Sequence, residues 1–184
     1  MTMISRLLFG PFRPSIEALR PALYRIAYAW CHDAALADDL VQETLTKALQ
    51  KSSQLRDPKA RDAWLFSILA NCYRDHFRKL REMDDIDDLE ISIETTPETE
   101  SNRNEIIDKV RAAIARLPQG QRQVVTLVDI EGFSYVEVAQ ILDVPIGTVM
   151  SRLCRARAAM KNILLPEFQQ SMAASNPSTL RRIK

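Results

Sequence analysis

Residues 134–157 read SYVEVAQILDVPIGTVMSRLCRAR, and this stretch decides the fold. Ser134 stands before a short apolar run and Glu137 follows at the third helical position, the arrangement of a capping box. Tyr135 to Leu142 is therefore a short helix. Asp143-Val144-Pro145-Ile146 turns the chain, because proline lacks an N–H and fixes its own φ. A longer helix follows from Gly147 to about Ile163. Stepping 100° per residue along it places Val149, Leu153, Ala156 and Met160 on one face and Thr148, Ser151, Arg152 and Arg155 on another. The apolar face packs on Val138, Ile141 and Leu142. The polar face carries the hydroxyls and guanidinium groups that reading a DNA major groove requires. A short capped helix, a tight turn and a longer basic helix form a helix-turn-helix. Arg157 and Lys161 point elsewhere and suit phosphate contact.

Upstream, Glu105 to Arg116 reads as a helix stopped by Leu117-Pro118. Gln119 to Ile130 reads as another, ended by Gly132, which tolerates the left-handed backbone at a helix end. Together these make a C-terminal module over 105–165. Residues 166–184, with Pro166, Ser171, Asn176, Pro177 and Ser178, read as a poorly ordered tail.

The segment 81–104 is different in composition. Between Glu82 and Glu105 the acids include Asp84, Asp85, Asp87, Asp88, Glu90, Glu94, Glu98 and Glu100, against Arg103 alone. It sustains no helical stripe and reads as a flexible acidic linker. From Pro145 to Lys161 the charges are Arg152, Arg155, Arg157 and Lys161, with no acid. The net charge of +1 thus conceals a basic segment behind an acidic one.

Before the linker, residues 15–80 form an N-terminal module. Ser15 caps a helix from Ile16 to about Cys31, with Leu19, Leu23, Ile26, Ala27 and Trp30 on one side. Asp33 caps a second from Ala34 to about Lys51. Asp57-Pro58 turns the chain into a third, from about Arg61 to Lys79. Period-two β-branched runs are absent, so the expected fold is all-α, two small helical domains joined by a linker.

Chemistry-bearing patterns are missing. Cys31, Cys72 and Cys154 are scattered, His32 and His76 make no ligand pair, and no phosphate loop or zinc signature occurs. The expectation is a protein without metal, cofactor or catalytic site. No apolar run reaches membrane-spanning length, and Met1 to Pro14 lacks the features of a signal peptide, which places the chain in the cytoplasm.

Leu117-Pro-Gln-Gly-Gln-Arg-Gln-Val-Val, Glu131-Gly-Phe-Ser-Tyr-Val-Glu-Val-Ala and the 145–157 segment closely resemble region 4 of extracytoplasmic-function sigma factors. Ala37-Asp-Asp-Leu-Val-Gln-Glu-Thr and Ala63-Trp-Leu-Phe-Ser-Ile-Leu-Ala-Asn resemble their region 2. The resemblance spans about 20–165, in the family order.

It implies a transcription initiation factor that binds core RNA polymerase, at the clamp helices and the flap, and recognises the −10 and −35 promoter elements. By resemblance the clamp contact lies on the second helix, whose outer face offers Asp39, Gln42, Glu43 and Thr46 and whose inner face is Ala37, Val41, Leu45 and Ala48. The third helix would read the −10 element with Asn71, Arg74 and Arg78, its core side being Leu65, Ile68, Leu69 and Cys72. Thr148, Ser151, Arg152 and Arg155 would read the −35 element. An anti-sigma factor, in some cases membrane-tethered, is the implied inhibitor. One position departs from the family pattern: Met150 stands where a cation is common, which bears on the −35 preference. A conventional repressor would need only the C-terminal module, and an anti-sigma-sequestering mimic would not need the cations on both reading helices.

Overall fold

The computed structural model describes residues 16–55, 57–83 and 101–174. Every regular element among them is helical. The helices are α1 (Arg20–Cys31), α2 (Ala34–Gln50), α3 (Arg61–Met83), α4 (Ser101–Ala115), α5 (Gln119–Val125), α6 (Tyr135–Leu142) and α7 (Ile146–Ala174).

Local sequence accounts for most of the boundaries. Asp33 accepts a hydrogen bond from the Leu36 N–H at 2.9 Å and opens α2. Asp57 accepts from the Lys59 N–H at 2.9 Å and starts the turn that leads into α3. At α6 the capping box is complete. The Ser134 N–H and hydroxyl both donate to Glu137 Oε2, at 2.8 and 2.7 Å, and the Glu137 N–H returns a bond to Ser134 Oγ. Those donors hold the Glu137 carboxyl below its usual range. Gly132 adopts φ +79°, the left-handed geometry that its lack of a Cβ makes inexpensive.

Four boundaries differ from the sequence reading. The Ser15 cap lies outside the described residues. The first helix does not run unbroken from Ile16: α1 begins at Arg20 with Pro21 in its first turn, because Pro21 has no N–H to donate to the Glu17 carbonyl and continue an earlier turn. The third helix continues to Met83 and α4 starts at Ser101, so both eat into the segment read as linker. The last helix does not stop near Ile163. It continues to Ala174 with Pro166 inside it. Proline removes one bond, to the Asn162 carbonyl, and at an exposed position water can take that carbonyl.

α5 does not pass straight to Gly132. Its chain widens into a π turn over Thr126–Ile130, with the Glu131 N–H reaching the Thr126 carbonyl at 3.2 Å.

The core is continuous across both modules. Leu23, Ile26, Trp30, Val41, Leu65 and Leu69 belong to the same buried cluster as Val124, Leu127, Val138, Ile141 and Val149. The packing between α3 and α6 joins the two modules.

Candidate nucleic-acid interface

On α7 the core side is Val149, Leu153 and Ala156, all buried, with Met160 packed at its edge. The opposite side faces solvent. Arg155 is exposed and makes no hydrogen bond or ion pair with any described residue. Ser151 is half-buried and donates to the Thr148 carbonyl at 3.1 Å, and Thr148 is half-buried beside it. Arg152 leans the other way. Its guanidinium lies 3.0 to 3.2 Å from where a Cβ on Gly120 would stand, so it rests over the start of α5 in space that only glycine leaves. Of the four residues assigned to this face, Arg155 is exposed and Thr148, Ser151 and Arg152 are half-buried.

The other flank carries two residues the sequence reading did not place. Met150 is 53% exposed and Ile146 46% exposed, so the recognition helix presents an apolar strip beside its polar one. Cys154 is also exposed there. Arg157 is not free for phosphate as expected. Its Nη2 and Nε donate to both carboxylate oxygens of Asp129, at 2.6 and 3.1 Å, in a two-pronged pair.

On α3, Leu65, Ile68, Leu69 and Cys72 are buried as expected, and Asn71, Arg74 and Arg78 are exposed on a common face. These three are linked to neighbours. Arg74 Nη1 donates to Asn71 Oδ1 at 3.2 Å, and Arg78 pairs with Asp75 at 3.2 Å. Arg74 Nη2 donates to the Leu142 carbonyl at 2.9 Å, across to the other module.

On α2, Asp39, Gln42, Glu43 and Thr46 are all exposed, on the side opposite Ala37, Leu40, Val41, Thr44 and Ala48. Leu45 is half-buried rather than buried. Glu43 pairs with Lys47 at 2.7 Å, and Thr46 Oγ1 donates to the Gln42 carbonyl at 2.8 Å.

Two matches cover most of the chain. Residues 16–82 match the model of Sigma-70 region 2, and residues 107–160 that of Sigma-70, region 4. The ECF RNA polymerase sigma factor EcfG of Rhodopseudomonas palustris is 36% identical over 83% of this chain and 84% of its own length. The chain belongs to the extracytoplasmic-function sigma factors. The RNA polymerase sigma-H factor of Pseudomonas aeruginosa is 32% identical over 76% of this chain and 79% of its own. The sigma factor RpoE of Bartonella quintana, solved in complex with the anti-sigma factor NepR, superposes with a TM-score of 0.69 at 29% identity, over 83% of this chain and 96% of that one. CnrH, solved with the cytosolic domain of CnrY, gives 0.59 at 26% identity, over 82% and 85%. As a sigma factor, the chain is a transcription initiation factor that gives RNA polymerase its promoter specificity. Among the described residues no helix is long and apolar enough to cross a membrane.

The node around Arg122 escaped the sequence reading. Arg122 Nη1 donates to the Trp30 carbonyl at 2.7 Å, and Nη2 donates to the Ala115 and Leu117 carbonyls at 3.0 Å each. The only sequence signal was its place in the 117–125 stretch that carries the family resemblance.

Proposed function

We propose that this sigma factor divides its work among three helices. The exposed face of α2, with Asp39, Gln42, Glu43 and Thr46, meets core polymerase at the clamp helices. Asn71, Arg74 and Arg78 on α3 bind the −10 element, the amide hydrogen-bonding an unstacked base and the cations holding the strand. Ser151 and Arg155 on α7, flanked by Thr148 and Arg152, read the −35 element in the major groove. Met150 adds an apolar contact of the kind that a thymine methyl accepts. The chain itself performs no catalysis, acts in the cytoplasm, and is held inactive by an anti-sigma factor. The complex of the similar Bartonella protein with NepR supports that last assignment.

The observation that carries the reading is the presence, in one chain, of two basic helix faces built on different modules, with Asn71, Arg74 and Arg78 exposed on one and Arg155 on the other. Reconstitution tests it. Added to core polymerase, the chain should form a stable complex that initiates at a defined promoter. No complex, or tight promoter-specific binding by the free chain, would contradict it.

A further inference from the structure

The polar reading residues of α7 have an apolar neighbour. Ile146, Met150 and Cys154 recur at every fourth position, and all three are exposed. At 100° per residue their stripe lies beside Gly147 and Ser151. Two methionines of the same helix show the contrast. Met160 packs against the core, whereas Met150 is 53% exposed. A long apolar side chain left in water forgoes the stabilisation that burial gives. Gly147 keeps the approach to this stripe open, since a Cβ built there would meet nothing within 4 Å.

Position and chemistry both point to a base edge. Met150 lies about one turn into α7, and the N-terminal residues of a recognition helix are those that contact bases in the major groove. A thioether is a poor partner for phosphate, and the cations of the helix stand elsewhere, at Arg152, Arg155, Arg157 and Lys161. The apolar group that a base pair displays in the major groove is the thymine 5-methyl. Ser151 narrows the choice. Its hydroxyl already donates to the Thr148 carbonyl at 3.1 Å, so toward DNA its oxygen can only accept. The donors in the major groove are the adenine N6 and cytosine N4 amino groups. An A·T pair offers such a donor and a methyl together, and a G·C pair does not.

We infer that Met150 and Ser151 select one A·T pair of the −35 element, Met150 covering the thymine methyl and Ser151 Oγ accepting from the adenine amino group. This deepens the functional reading above, rests on its placement of α7 in the −35 groove, and turns the Met150 contact into a choice of base pair. The flexible, polarizable thioether suits it to pack on a methyl that protrudes from the groove floor.

The test uses polymerase holoenzyme formed with the full chain, on promoters selected from a library randomised at −35. Each A·T pair of the selected element is altered one group at a time. Deoxyuridine for thymine removes the methyl alone, and deoxynebularine for adenine removes the amino group alone. At one pair, deoxyuridine should weaken promoter binding about three- to fivefold, the effect of one buried methyl. Met150→Ala should abolish that sensitivity and Met150→Leu should keep it. Ser151→Ala should abolish the sensitivity to deoxynebularine at the same pair. A guanine·5-methylcytosine pair placed there should bind the parental holoenzyme more tightly than guanine·cytosine. Deoxyuridine that is neutral at every position, a deoxyuridine loss that persists in Met150→Ala, or a selected element without any A·T pair would overturn the proposal and leave α7 at −35. Equal losses for Met150→Ala on every sequence, with weaker binding to core polymerase, would overturn it by assigning the stripe to a protein contact. A selection that enriches nothing at −35 would overturn the placement of α7 and the proposal with it.

Discussion

The two reading helices meet opposite surroundings. α7 turns Arg155 to open solvent with no partner among the described residues, while α3 spends Arg74 on the Leu142 carbonyl of the other module. The difference lies in packing, not composition, since both faces carry arginines at helical spacing. A basic helix face is thus a capability, and its neighbours decide whether it is available. The two arginines that reach across the modules show the same contrast in energetic terms. Arg122 is buried at its Nε and serves three carbonyls, and burial lowers its pKa because the charged form loses water. Arg74 is exposed and serves one carbonyl of the other module.

The largest expected effect follows from that asymmetry. Arg122→Ala should cost about 2–4 kcal/mol, because it strands the Ala115 and Leu117 carbonyls in partly buried surroundings and leaves the Trp30 carbonyl only the Tyr73 hydroxyl, whereas Arg74→Ala should cost about 1 kcal/mol. Urea denaturation of the free chain measures both. Equal costs would erase the distinction between the buried arginine and the exposed one.

His32 sharpens the comparison on the acid side. It ends α1 beside Arg122, its Nε2 is buried without a partner, and burial followed by the Arg122 charge lowers its pKa to about 4. The unfolded imidazole titrates near 6.5, so between these values the unfolded chain binds more protons and stability rises with pH. Stability from this group is present above pH 6.5 and is lost as pH falls toward 4, by about 1–3 kcal/mol after allowing for its partial exposure. Thermal unfolding across that window should show the loss, and His32→Gln should flatten it.

These sites also mark what could be read from residues alone. The α6 cap was legible because Ser134 and Glu137 are three residues apart, and the α7 core face because Val149, Leu153 and Ala156 repeat at helical spacing. The exposure of Asn71, Arg78 and Arg155 followed from the same periodicity. Arg122 was not legible, since its partner Trp30 lies 92 positions away and no local rule joins them. The salt bridge that claims Arg157 bridges 28 positions and was missed for the same reason. Pro166 misled because proline usually ends a helix, and here the neighbouring turns continue past it.

Smaller effects separate the polymerase and phosphate contacts. Reversing charge at Asp39 and Glu43 together should weaken polymerase binding by about 1 kcal/mol with helix content unchanged, as both are exposed. Competition against another sigma factor measures it, and unchanged affinity would remove α2 from the contact. Arg157→Ala should be the mildest, at most about 1 kcal/mol and equal on all promoters, because Asp129 already holds the guanidinium.

The most direct test is a selection of initiating promoters from a library randomised at both elements, using core polymerase with the parental chain, Arg155→Ala or Asn71→Ala. The parental chain should enrich two separate motifs. Arg155→Ala should lose base preference only at −35, by about 1–3 kcal/mol at the affected pair, and Asn71→Ala only at −10. If each variant alters both motifs, or neither, α3 and α7 do not read the two elements separately.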